Sequence, residues 1–266
     1  MSKIGFIGLG SQGAPMAQRI IDAGFPTVLW ARRRESLEPY ANTSAEFADS
    51  VAELGAQVDH VGICVVDDAG VQQIFDELLP AMKRGGRIAI HSTVHPDTCK
   101  KLAQRAAENG IDVIDAPVSG GGSGAAAGTL TVMVGGDATV VAAARPIFET
   151  FAGTIVHLGG VGAGQMAKLV NNALMAAHVS IAHYALEAGD ALGIDRSAMI
   201  DLVKVSSGRS FGFEVRARMP NPAAFKHGAA LLAKDVRLLG ESLNGHAAFA
   251  PFDHLATPFL DLALKS

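Results

Sequence analysis

The stretch KIGFIGLGSQGAPMAQRI at residues 3–20 narrows the fold more than any other part of the chain. An apolar run with strand character meets Gly8, Gly10 and Gly13 in G-x-G-x-x-G spacing, and a helical pattern begins at once. Gly8 permits a tight turn, Gly10 lets backbone approach a pyrophosphate, and Gly13 allows the helix to lie against the strand. The helix N-terminus then offers free N–H groups and a partial positive charge to phosphate oxygens. The loop Gly8, Leu9, Gly10, Ser11, Gln12 and Gly13 is therefore expected to hold a dinucleotide. The competing reading is a strand-to-helix turn with no ligand.

The rest of the first half repeats this alternation. Strand candidates are 3–8, 27–30, 60–66, 87–92, 112–118, 129–135 and 154–159, with helical stretches near 13–23, 70–83, 97–109 and 137–150. Residues 41–59 read as a short strand followed by a short helix. Alternation of this kind predicts an α/β, Rossmann-type doubly wound domain with a mostly parallel sheet. After GGVGAG (159–164) every segment reads as helix, so the expected division is 1–160 for dinucleotide binding and 161–266 for an all-α substrate and dimerisation domain. Residues 165–192, rich in Ala, Leu, Met and Val, predict a long interdomain helix buried on all sides. Such a helix packs between domains or subunits, and a homodimer or higher homo-oligomer is expected.

Composition removes several function classes. With 22 Lys and Arg against 26 Asp and Glu, the net charge of -4 offers no basic surface for nucleic acid. No stretch approaches the ~20 clean apolar residues of a membrane span. Cys64 and Cys99 lack metal-type spacing, so no metal site is expected; so few thiols, with no signal-type N-terminus, predict a cytoplasmic protein.

The one basic cluster is Arg32-Arg33-Arg34, just after the second strand. An acidic side chain there would bind the ribose 2′-hydroxyl of NAD, yet no Asp or Glu occurs between Asp22 and Glu35. Guanidinium forks suit a 2′-phosphate, so Arg32 and Arg33 point to NADP(H) as the preferred cofactor, with NAD(H) possible. The alternative is a solvated helix start.

In GAGQMAKLVNN, Lys168 and Asn172 stand at i and i+4 on one helix face. Just past the domain boundary, where a cleft is expected, a lysine beside a nicotinamide cation can exchange a proton with a carbonyl oxygen while hydride moves. Asn172 can hold the same oxygen or a hydroxyl. Spacing alone leaves open the plainer reading of a helical polar pair.

Three separated stretches agree with one family. GFIGLGSQGAPMA, DAPVSGGGSGAAAGTLTVMVGG and GAGQMAKLVNN resemble, in that order, the cofactor, substrate and catalytic motifs of the β-hydroxyacid dehydrogenases, and FKHGAALLAKDVRLL resembles their C-terminal helix. The resemblance spans nearly the whole chain. It implies an NADP-dependent oxidoreductase that interconverts a small β-hydroxyacid with its semialdehyde or keto form. By position it implies Lys168 as general acid/base with Asn172 beside it, and Ser119, Gly120 and Gly121 as contacts to a substrate carboxylate. It further implies Val66, Asp67 and Thr93 along the cofactor's ribose and nicotinamide, Lys234 reaching the cofactor with Asp235 as its orienting partner, and Arg32 at a position linked to NADP preference. In this light DAPVSGGGSGAAAG reads as a strand-to-loop turn whose glycines expose N–H groups to a carboxylate.

Departures are Gln12 where relatives usually have Met, His91 where an acidic residue is common, and a chain ending at PFLDLALKS. His91 reads as a structural strand-end residue in preference to a ligand contact. Two rival readings are an imine reductase, against which Lys168 speaks, and a non-catalytic dinucleotide-binding scaffold.

Overall fold

The apolar run after Lys3 forms strand β1 (Ile4–Ile7), all four residues of it buried, in a computed structural model that describes residues 2–265. Helix α1 (Gly13–Asp22) follows, then β2 (Thr27–Trp30), a 3₁₀ turn over Arg34–Tyr40, β3 (Glu46–Phe47), α2 (Val51–Gln57) and β4 (His60–Ile63). The series continues with α3 (Asp68–Leu78), β5 (Arg87–Ile90), α4 (Pro96–Glu108) and β6 (Asp112–Asp115). These six strands make one sheet in the order β3-β2-β1-β4-β5-β6, every pairing parallel. Strand order reverses between β1 and β4, with Ile7 beside Ile63, so the loops leaving their carboxyl ends open at the switch point where ligands bind such sheets.

Side-chain alternation along the strands feeds two cores. Ile4, Phe6 and Leu29 pack with Met16, Ala17 and Ile20 of α1 on one face. On the other, Ile7, Val28, Val61 and Ile63 pack with Val51 and Leu54 of α2, Val71, Phe75 and Leu78 of α3, and Leu102 of α4. Burial on both faces is why β1, Val61–Ile63 of β4 and Ile88–Ile90 of β5 are wholly apolar.

The remaining strands depart from the expected single sheet. The run 112–118 breaks after Asp115: Pro117 has no N–H to give a ladder, and β7 (Val118–Ser119) turns away to pair antiparallel with β8 (Leu130–Val134). Between them lies α5 (Gly121–Ala127), and after β8 come α6 (Ala138–Phe148) and β9 (Ala152–His157), which pairs parallel with β8. The domain thus holds a second, mixed three-stranded sheet, joined to the first by the bridge Asp115–Gly135.

Helix α7 (Ala163–Ala191) leads into α8 (Arg196–Val205), α9 (Phe211–Ala217), α10 (Lys226–Leu243) and α11 (Phe249–Lys265). The chain divides into two compact units, Met1–Lys168 and Leu169–Ser266. In the second, Leu169, Ala173, Ala176 and Val179 of α7 pack with Leu232, Val236 and Leu239 of α10 and with Ala256, Phe259 and Leu260 of α11. Helix α7 is not buried on all sides as its composition suggested. Met166, Val170, Leu174, Ile181 and Tyr184 form a stripe of which each residue is 42–51% exposed. Among the described residues no helix is long and apolar enough to cross a membrane.

Candidate active site

The glycine loop has three differently constrained glycines. Gly8 has φ +99°, and a Cβ there would fall 2.1 Å from the Cys64 carbonyl oxygen, while one on Gly13 would fall 2.0 Å from that of Gly8. Both are locked by backbone. Among the described residues a Cβ on Gly10 would meet nothing within 4 Å, so space stands open above it. Gly10 and Ser11 are exposed, and Leu9 and Gln12 half-buried. Helix α1 starts at Gly13 with no side chain capping its N-terminus and no acidic residue in its first turn. An uncapped ten-residue helix facing open space at a switch point fits a dinucleotide pyrophosphate.

No carboxylate stands between Asp22 and Glu35, so none lies directly at the end of β2. Arg32 and Arg33 are exposed; Arg32 Nη2 lies 3.5 Å from Gln73 Oε1, at the limit of a hydrogen bond, whereas Arg34 pairs with Asp49 at 2.9 Å. Arg32 and Arg33 are therefore better placed than Arg34 to meet an anion. After β4, Val66 is 72% exposed, and the Asp67 side chain caps α3 by accepting from Gly70 N at 2.9 Å. Thr93, half-buried, follows β5 in the corresponding loop.

The second glycine run is a helix and not the open turn expected. Strand β7 ends at half-buried Ser119, Gly120 (φ +127°) and Gly121 (φ +65°) reverse the chain, and α5 runs to Gly128. The Ala125-Ala126-Ala127 run and a left-handed C-terminal Gly128 (φ +71°) carried the helical signal, which the glycines hid. Helix α5 lies against the dinucleotide loop, since a Cβ on Gly122 would fall 2.5 Å from the Ser11 carbonyl oxygen. Ser119 and Gly120–Gly121 therefore belong to a segment whose far side packs on the first glycine loop.

Helix α7 begins in a buried polar network that sequence reasoning did not single out. Asp115, fully buried at the end of β6, accepts from Gly162 N (2.6 Å) and Gln165 N (2.7 Å). Burial raises the Asp115 pKa above the usual carboxylate range, and these N–H groups pull it back. The fully buried Gln165 side chain donates to the Ser92 carbonyl (2.8 Å) and accepts from Val94 N (3.2 Å). One turn later on α7 stands Lys168, 8% exposed. One further turn along, Asn172 Nδ2 donates to Asp235 Oδ2 at 2.6 Å, while Asn171 Nδ2 donates to Asn172 Oδ1 at 3.1 Å. Lys234 Nζ lies 3.4 Å from the other oxygen of Asp235, so one carboxylate of α10 gathers Asn172 and Lys234. Spacing could not show that link.

His91 belongs to the core. Its Nδ1 is 2.8 Å from the Ala116 carbonyl, its ring stacks on Phe6 with centroids 6.1 Å apart, and Phe148 and Phe151 meet it edge-on. Burial pushes its pKa down to about 4 and that of neighbouring His60 to about 3.

Residues 3–160 match the family described as the NAD binding domain of 6-phosphogluconate dehydrogenase. Residues 162–266 match the family described as NAD-binding of NADP-dependent 3-hydroxyisobutyrate dehydrogenase. The chain is 35% identical to an NAD-dependent L-serine dehydrogenase of Pseudomonas aeruginosa, over 100% of this chain and 93% of that one. Among solved structures, a Mycobacterium tuberculosis 3-hydroxyisobutyrate dehydrogenase with L-serine superposes with a TM-score of 0.84 at 28% identity, covering 100% of this chain and 92% of the other. Psf3 in complex with NADP+ and 2-OPP superposes with a TM-score of 0.83 at 26% identity, covering 98% and 92%. Family matches over both halves, with relatives aligned nearly end to end, show that this chain belongs to the β-hydroxyacid dehydrogenases, nicotinamide-dependent oxidoreductases acting on hydroxyacids.

Proposed function

We propose that the protein interconverts a small β-hydroxyacid and its semialdehyde or keto form, with Lys168 as general acid/base and NADP(H) as the preferred cofactor. The observation that carries the reading is the burial of Lys168, 8% exposed, one turn beyond a helix start that is hydrogen-bonded to residues 92 and 94. A lysine amine held there can exchange a proton with a substrate oxygen as hydride moves to or from the carbon. When bound, the nicotinamide supplies or takes up the hydride. Ser119 Oγ and the N–H groups of Gly120 and Gly121 receive the substrate carboxylate. In reduction Lys168 gives its proton to the carbonyl oxygen and regains one from solvent; in oxidation it takes the hydroxyl proton. Asn172, oriented by Asp235, steadies the substrate, and Lys234 reaches the cofactor. The relatives named for, or solved with, L-serine, itself a β-hydroxy carboxylate, support this substrate class.

Cofactor choice rests on Arg32 and Arg33 with no Asp or Glu between Asp22 and Glu35, and Psf3 with NADP+ supports it, whereas the serine dehydrogenase is NAD-dependent. A homodimer or higher homo-oligomer goes with the exposed apolar stripe of α7, and a cytoplasmic setting with two free cysteines. The test is oxidation of NADPH and NADH across small keto acids and semialdehydes, in wild type and in the Arg32→Ala/Arg33→Ala variant. The NADPH:NADH ratio of kcat/KM should fall at least about tenfold, the worth of ~1.4 kcal/mol, in the variant. An unchanged ratio ends the NADP preference. Absence of turnover with any acid and either nucleotide ends the whole reading.

A further inference from the structure

Three buried polar side chains of the first unit belong to one hydrogen-bonded network: Ser92 (3% exposed), Asp115 (0%) and Gln165 (0%). Buried polar groups persist when every hydrogen bond is made, and such networks fix one geometry. Here the loops after β4 and β5 and the end of β6 are tied to one another. The Val65 N–H donates to Ser92 Oγ at 2.8 Å, joining the loop after β4 to the loop after β5. The Gln165 amide then grips that second loop twice, through the Ser92 carbonyl at 2.8 Å and the Val94 N–H at 3.2 Å. Its own backbone N–H is held by Asp115 at the end of β6. Thr93 lies between the two gripped residues. Lys168 lies three residues after Gln165, so it shares a helix face with the clamp.

We propose that Gln165 is a positioning residue, which fixes the first turn of α7 against residues 92–94 so that Lys168 and the loop expected to line the nicotinamide keep one separation. The inference rests on the reading of Lys168 as proton donor. An amide is required because the grip needs a donor for Ser92 and an acceptor for Val94 at once. The isosteric Gln165→Glu keeps the acceptor but sets a carboxylate oxygen against the Ser92 carbonyl. Gln165→Met keeps the bulk and loses both bonds.

The test compares wild type, Gln165→Glu and Gln165→Met in kcat, KM, cofactor Kd and melting temperature. Misplacing a catalytic group by an ångström costs about 10²-fold, so kcat should fall between about ten- and a hundredfold with cofactor Kd nearly unchanged. Lowering the pH should restore Gln165→Glu towards wild type, because its protonated carboxyl can donate to Ser92, whereas Gln165→Met should show no such recovery. If Gln165→Met does not fold, Gln165→Glu carries the test. A second readout needs no turnover: acetylation of Lys168, followed by mass spectrometry with and without saturating NADP+. Cofactor should alter the labelling rate in wild type and alter it less in both variants. Variants with wild-type kcat and wild-type labelling, whatever their melting temperature, overturn the proposal. Turnover that survives Lys168→Ala, together with labelling that still depends on Gln165, defeats the proton-donor reading and leaves the positioning role standing.

Discussion

Two glycine runs in the first unit look alike as sequence and differ as structure. In residues 8–13, Gly8 and Gly13 face backbone and Gly10 faces open space, so one glycine is left for a ligand. In residues 120–128, Gly120 and Gly121 turn the chain and Gly122 presses on Ser11 of the first run. Glycine content therefore does not say whether missing side chains make room for a ligand or for the protein itself. Only neighbouring atoms decide.

The largest expected effect separates the glycines of the first run. Gly13→Ala forces a Cβ onto the Gly8 carbonyl and should destabilise the protein by about 3 kcal/mol, with dinucleotide binding lost. Gly10→Ala should leave the melting temperature near wild type while raising dinucleotide Kd at least about tenfold. Thermal melts and cofactor titrations read both, and equal behaviour of the two variants would break the distinction.

Acid should loosen both runs together, since the core beneath them holds His91 against Phe6 and His60 against Phe148. Folded pKa values of about 3 for His60 and about 4 for His91 lie below the ordinary 6.5, so between these values the unfolded chain binds more protons. Stability should thus be flat above pH ~6.5 and fall below it, by up to about 1.4 kcal/mol per pH unit for each histidine. Neither ring nitrogen of His60 has a hydrogen-bond partner among the described residues, so His60→Leu should make the fall shallower. Melting temperature against pH tests this; an identical slope in the variant would contradict it.

The smallest effect sharpens the coupling between the runs. Gly122→Ala pushes on the Ser11 carbonyl and should both destabilise by about 1–2 kcal/mol and weaken dinucleotide binding. Gly121→Ala meets no atom within 4 Å but sits at φ +65°, so it should cost a similar ~1–2 kcal/mol and leave cofactor Kd unchanged. Equal Kd values in the two variants would uncouple the runs.

Much of this was legible beforehand, for identifiable reasons. Parallel strands buried on both faces read as unbroken apolar runs, and G-x-G-x-x-G between strand and helix admits few folds. What stayed hidden was either masked or distant. Pro117 split an apparent single strand, and glycines disguised α5. The uniform Ala, Leu and Met content of α7 gave no sign of its exposed stripe. Gln165 and Asp115 escaped notice because their partners lie 47–73 residues away, where local pattern carries no information. The tie from Asn172 to Asp235, 63 residues apart, was invisible for the same reason, although both residues had been singled out.

Lys168 is the residue on which proton transfer depends in this reading. Oxidation of reduced nicotinamide by the best acid of the panel, in wild type and Lys168→Ala, with cofactor Kd measured alongside, isolates its role. Loss of a general acid predicts a fall in kcat on the order of 10²–10⁴ with cofactor Kd unchanged. Wild-type turnover in Lys168→Ala would contradict the central claim.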